Sequence, residues 1–162
     1  MVDQIFRRRT DDAVFENFGK RPLDVGSNLI ARTAHSAISL LGRLRRQIDD
    51  PIPLAWEPEI GDSIQAIEVY PAATLRALRL SDTGYKGGKE EALSARGSIL
   101  RSLVGEVSIS APLVERCRES DHVLDAVLCA VAGFDFLGGP AIPPNDLALA
   151  QREGWIWVRR PQ

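Results

Sequence analysis

A helix-rich α/β fold with few strands is the class this chain predicts, on three observations. Residues 28–47 and 90–103 repeat apolar side chains at helical spacing, and Val123–Ala132 is apolar enough for a buried helix. Two short runs, Ile64–Tyr70 and Trp155–Val158, have the apolar and β-branched character of strands. At 162 residues the chain has the length of one domain, 1–162, with material for a real core.

The elements follow in order. Met1 to Val25 is polar and arginine-rich, with Gly19 and Pro22, and reads as an irregular lead-in. Ser27 suits the N-cap of a helix from Asn28 to about Gln47. Ile30, Ala34, Ala37, Ile38, Leu41, Leu44 and Ile48 fall on one face of it, and Arg32, Ser36, Ser39, Arg43 and Arg46 on the other. Pro51, Pro53 and Pro58 make Asp49–Gly61 a connector. After the Ile64–Tyr70 strand, Pro71 opens a short helix running to Leu80. Ser81–Lys89, with Gly84, Gly87 and Gly88, is a loop. Glu90–Leu103 and Pro112–Arg118 are helices. Ser120 or Asp121 caps the next, which Gly133 ends. Gly138–Pro144 is a turn-rich loop, and the closing strand Trp155–Val158 places both tryptophans on one face. Two strands are few for an α/β domain, whose sheets usually hold four or more.

Composition narrows the setting. The net charge of −2 provides no global field for nucleic acid. Residues 1–46 nevertheless carry nine Lys/Arg against five Asp/Glu, which permits a basic patch near the amino terminus. There is no run of about 18 apolar residues, so no membrane partner is expected. Met1–Thr10 has no apolar signal-peptide core. Cys117 and Cys129 match no zinc or disulfide spacing, so a cytoplasmic protein with reduced thiols is expected.

The chemistry centres on two acids in apolar surroundings. Asp125 interrupts Val123–Ala132, where an unpaired carboxylate costs roughly several kcal/mol, so a cation or donor should face it. Glu68 interrupts the Ile64–Tyr70 strand in the same way. Helical spacing sets Asp121, Asp125 and Cys129 along one stripe. If the strand packs beside this helix, Glu68 and Asp125 meet, and a metal between them relieves their repulsion. Carboxylates with water favour Mg²⁺ or Mn²⁺, which would support phosphoryl transfer. The competing readings are ordinary ones: a paired buried acid at Asp125, a capping acid at Asp121, and an edge-strand ion pair at Glu68.

Other features weigh less. Thr83–Lys89 is glycine-rich, but the Walker pattern fails at Thr83 and at Glu90. Lys86 and Arg96 would touch a phosphate backbone if one bound there. Arg7, Arg8 and Arg9 would grip phosphates or form solvated surface. Trp155 and Trp157 would stack bases or fill core. His35 and His122 have no partners at ligand spacing, and no G-x-S-x-G or G-x-G-x-x-G occurs.

An ordered set of short motifs resembles one family. Arg9-Thr10-Asp11, Glu68-Val69-Tyr70-Pro71-Ala72, Tyr85-Lys86, Leu124–Ala130 and Glu153-Gly154-Trp155-Ile156 are similar to the domain-of-unknown-function family numbered four hundred and twenty-nine. That family is described as predicted nucleases with a ribonuclease-H-like fold. The resemblance implies a mixed sheet flanked by helices and a carboxylate cluster binding Mg²⁺ or Mn²⁺. Glu68 would be the acid of the fourth strand, Asp125 that of the last helix, and Asp121 an auxiliary. The family's first strand, with its leading metal-binding Asp, has no counterpart here, since Asp3, Asp11 and Asp12 lie in polar sequence. The expectation is therefore an incomplete ribonuclease-H-like domain, truncated at its amino terminus relative to the family.

Two functions follow. One is a metal-dependent nuclease-like phosphodiester hydrolase, with Glu68 and Asp125 catalytic, Lys86 and Arg96 on the substrate, and nucleic acid as the partner. It would need a partner chain or homo-oligomer to complete its sheet. The alternative is a non-catalytic binding or interaction module derived from that fold.

Overall fold

The computed structural model describes residues 8–22, 28–59 and 61–161, with backbone alone at 28–30. The chain divides into two compact units, each with its own packing. The first comprises Met1–Glu68 with Pro143–Ile156, the second Val69–Ile142 with Trp157–Gln162. The helix-rich α/β class holds: helices dominate, and the two strands, β1 (Glu68–Val69) and β2 (Ile156–Trp157), form one short parallel pair.

In the first unit, the expected irregular lead-in instead contains helix α1 (Arg9–Phe18). Asp11 takes the backbone N–H of Arg8 at 3.0 Å, which covers one of the open donors of a helix start. Thr10 and Val14, one turn apart, are buried on its inner face. Gly19 stops it at φ 60°, a conformation glycine adopts without penalty, with its N–H on the Phe15 carbonyl at 2.8 Å. A single buried stripe in polar sequence is a weak periodic signal, and the closing Gly19 is its clearest mark. Helix α2 (Asn28–Ile48) forms as expected, while its proposed cap, Ser27, lies outside the described residues. In the connector, Ala55 and Ala66 join at 2.8 Å, a bridge that leaves Ile64 exposed and shortens the expected strand to Glu68–Val69.

Helix α7 (Leu147–Glu153) is absent from the expectations. Asp146 caps it by accepting the Leu149 N–H at 3.0 Å, and it packs on α1. The Thr10 hydroxyl accepts the Ile156 N–H at 2.7 Å, fastening α1 to the chain after α7.

The second unit is a helical cluster. Pro71 starts α3 (Pro71–Ala77), which stops three residues before the expected Leu80. Helices α4 (Glu90–Leu103), α5 (Ala111–Glu119) and α6 (Asp121–Gly138) follow. The α6 helix packs against α3 and α5, and α4 against α5. Their shared core contains Leu75, Tyr85, Ile99, Leu100, Leu103, Cys117, Leu124 and Leu128. Each fully buried leucine contributes about 1.5–3 kcal/mol.

Gly133 does not end α6. Glycine inside a helix costs about 1 kcal/mol relative to alanine. Burial of Val131, Ala132 and Phe136, and the Asp135–Arg159 ion pair at 2.7 Å, offset it. Gly139, at φ 85°, is the actual stop. Among the described residues, no helix is long and apolar enough to cross a membrane.

Candidate functional site

Four of the five expected site residues lie in the second unit, and one loop gathers them. The loop's anchor is Arg96, 0% exposed on α4. Its Nη1 donates to the carbonyls of Tyr85 at 2.6 Å and Gly87 at 2.8 Å. Its Nε donates to the Arg118 carbonyl at 2.7 Å and its Nη2 to that of Glu119 at 3.4 Å. Those last two carbonyls end α5, where the helix dipole favours a cation. Arg96 thus positions the loop, and its side chain is closed to an outside phosphate in this arrangement.

The held loop meets the start of α6. Ser120, rather than Asp121, is the N-cap, its hydroxyl accepting from Val123 at 3.4 Å. Asp121 accepts the Gly87 N–H at 2.9 Å. That contact, with weaker help from His122 and Lys86, holds the Asp121 carboxyl below its ordinary range. Gly87 donates from φ +92°, a conformation that side chains resist.

Asp125 receives the Tyr85 hydroxyl at 3.0 Å and the Lys86 ammonium on its other oxygen. Burial first, then the Asp125 charge, pushes the Tyr85 phenol well above its usual value. Lys86 Nζ also lies 4.8 Å from the Tyr85 ring centre, within cation–π range. Cys129 continues the stripe, its thiol raised by burial and by Asp125. Asp125 itself is partly open, its side chain 23% exposed, because α6 turns Leu124 and Leu128 inward and leaves Ala126 and Ala130 outside. The apolar run is therefore a one-sided helix, not a fully buried one.

Glu68 belongs to the first unit and has a different partner. Arg8 grips it with both nitrogens, Nη1 to Oε2 at 2.9 Å and Nη2 to Oε1 at 2.8 Å. The same guanidinium reaches Asp11 at 3.2 Å. Burial opposes the Arg8 charge, but Glu68 and Asp11 outweigh it and raise its pKa. Gly154 completes the group: a Cβ there would stand 2.8 Å from Glu68 Oε2 and 3.1 Å from Arg8 Nη1. The motifs around Thr10, Glu68 and Gly154, distant in sequence, thus converge within this unit.

These donors set the fit of a divalent ion. Glu68 is satisfied by a guanidinium, and Asp125 by a phenol and an ammonium. Among the described residues, no group of three or more His, Cys, Asp or Glu side chains is arranged to hold a metal. As arranged, the acids do not fit Mg²⁺ or Mn²⁺, which require several free oxygens.

Other candidates resolve simply. Trp155 and Trp157 are buried, and Trp157 meets the Phe136 ring edge-on at 4.6 Å, so neither presents a stacking face. His35 is exposed, and His122 stands at the surface beside Asp121. Arg7 and Asp3 lie outside the described residues. Sequence reasoning missed Arg8 and Tyr85 as the partners of the two acids. It also missed Asp135, whose place between Phe134 and Phe136 repeats the acid-in-apolar-run signal of Asp125.

Comparison with curated proteins and with solved structures gives no match. A family model does match, over residues 3–148, a span that contains Arg8, Glu68, Lys86, Asp121 and Asp125 and stops short of Gly154. The chain belongs to the family described as Protein of unknown function (DUF429).

Proposed function

We propose that this chain is a non-catalytic binding or interaction module derived from a ribonuclease-H-like fold, its key acids neutralised by its own basic side chains. One observation carries the reading: Arg8 is bidentate on Glu68, and Lys86 and Tyr85 both engage Asp125. A carboxylate already holding two charge-assisted hydrogen bonds binds an added cation only by giving them up.

A second reading is a metal-dependent nuclease completed by a partner chain or a second copy. It is favoured by Asp121 and Asp125 lying one turn apart with partly open side chains, and by Lys86 being about half exposed. In that reading Lys86 leaves Asp125 to meet a nucleic-acid phosphate.

Titrating the full chain with Mg²⁺ or Mn²⁺ while recording its melting temperature separates the two. The module reading expects no metal-dependent rise for wild type, Glu68→Gln or Asp125→Asn, and no cleavage of DNA or RNA. A rise in wild type that Glu68→Gln or Asp125→Asn abolishes would overturn it and favour the nuclease.

A further inference from the structure

Helix α2 has two faces that neither acid cluster explains. Its 21 residues include no Asp or Glu, but carry Arg32, Arg43, Arg45 and Arg46. Helical spacing gathers Arg32, Arg43 and Arg46 on one side with Ser36 and Ser39. The opposite side carries Ala37, Ile38, Leu41, Leu44 and Ile48, with Leu40 at its border. This apolar side is open to water: Ile38 is 70% exposed, Leu40 48%, and Leu44 and Ile48 37% each. A row of exposed Ile and Leu on a regular helix marks a surface that some partner covers.

Charge decides among the partners. A second copy would cover the apolar side but bring four more arginines and no acid within the helix to answer them. RNA would answer the arginines and leave the isoleucines and leucines in water. An anionic bilayer answers both faces at once, with acyl chains below and lipid phosphates and carboxylates at the level of the guanidinium groups. Arg45 falls within the apolar side, one turn beyond Leu41, where a long side chain buries its stem and reaches up to keep its charge in the headgroup layer. At about 1.5 Å per residue the helix is about 30 Å long, ample for lying flat on a membrane.

We propose that α2 is an interfacial helix that binds the surface of membranes rich in anionic phospholipid. That no helix among the described residues is long and apolar enough to cross a bilayer bears on crossing one and not on lying against one. This binding is independent of the acid clusters, so the metal titration and the vesicle experiment fail separately.

The test is sedimentation of the full chain with vesicles of phosphatidylcholine alone or of an equimolar mixture with phosphatidylserine. Wild type is expected to sediment with the mixed vesicles only and to be released by high salt. Ile38→Asp, and Arg43→Ser with Arg46→Ser, should each weaken binding on the order of tenfold or more. These side chains are exposed, so an unchanged melting temperature checks that the variants fold. No sedimentation with the mixed vesicles overturns the proposal, as does equal binding to both kinds or binding that Ile38→Asp leaves intact. Two further results also overturn it: a dimer that Ile38→Asp dissociates without vesicle binding, and RNA binding in place of vesicle binding.

Discussion

Arg96 reaches the Tyr85 carbonyl at 2.6 Å from a side chain wholly closed to water. Among the described residues no carboxylate pairs with this guanidinium; four backbone carbonyls from the loop and the end of α5 satisfy it. Replacing it with methionine keeps most of the volume but strands those acceptors. Arg96→Met should cost about 3 kcal/mol or more. Arg96→Lys should recover little, because one ammonium cannot reach both strands of contact. Urea unfolding of the two variants measures the loss. A cost within about 0.5 kcal/mol would mean that the loop is held by other contacts.

Gly154 makes a similar demand through the backbone. Its φ of +89° disfavours any side chain, and a Cβ would press on a Glu68 oxygen that Arg8 keeps from moving aside. Gly154→Ala should therefore destabilise by about 1–3 kcal/mol. Adding Glu68→Ala removes the steric part and leaves the backbone part, so the double variant should lose less than the sum of the two single losses. Melting temperatures of the three variants test this, and strict additivity would count against the contact.

How far the sequence foretold this molecule depends on the strength of each local signal. Glu90–Leu103 was readable because its apolar spacing holds over several turns and coincides with α4. Gly133 misled because a glycine reads as a stop, whereas packing around Val131 and Phe136 outweighs its modest helix penalty. Helices α1 and α7 are short, and each buries little more than one stripe, so their best marks were the caps at Asp11, Gly19 and Asp146. Asp125 was recognisable as an acid needing a partner. Which partner it has was not, because Tyr85 and Lys86 approach across about forty residues of chain through a loop that Arg96 holds.

Asp135 and Glu106, both paired with Arg159, provide a contrast between a buried acid and an exposed one. Arg159 donates twice to Asp135 Oδ1, at 3.0 and 2.7 Å, and more loosely to Glu106 at 3.4 Å. Asp135 is buried, while half of the Glu106 side chain is exposed. Asp135→Ala should cost about 2–3 kcal/mol, because it leaves a mostly covered guanidinium with one weak partner. Glu106→Ala should cost less than about 1 kcal/mol, as exposed pairs usually do. Denaturant midpoints for the two variants check the ordering, and a larger loss for Glu106→Ala would reverse it.

Tyr85 ties the candidate site to alkaline stability. Burial and the neighbouring Asp125 charge raise its phenol above the ordinary 10.0. In the unfolded chain Tyr85 loses its proton near that ordinary value, while the folded chain keeps it. The unfolded state then binds fewer protons, so stability falls as pH rises past 10.0, by up to about 1.4 kcal/mol per pH unit. Tyr85→Phe removes this alkaline loss, and at neutral pH it gives up only the hydrogen bond to Asp125, worth about 1 kcal/mol. Urea unfolding from about pH 8 to about pH 11 should show two curves that approach or cross as the wild type weakens. Parallel curves would mean that Tyr85 ionises as readily in the folded chain as in the unfolded one, and that its hydroxyl is not held on Asp125.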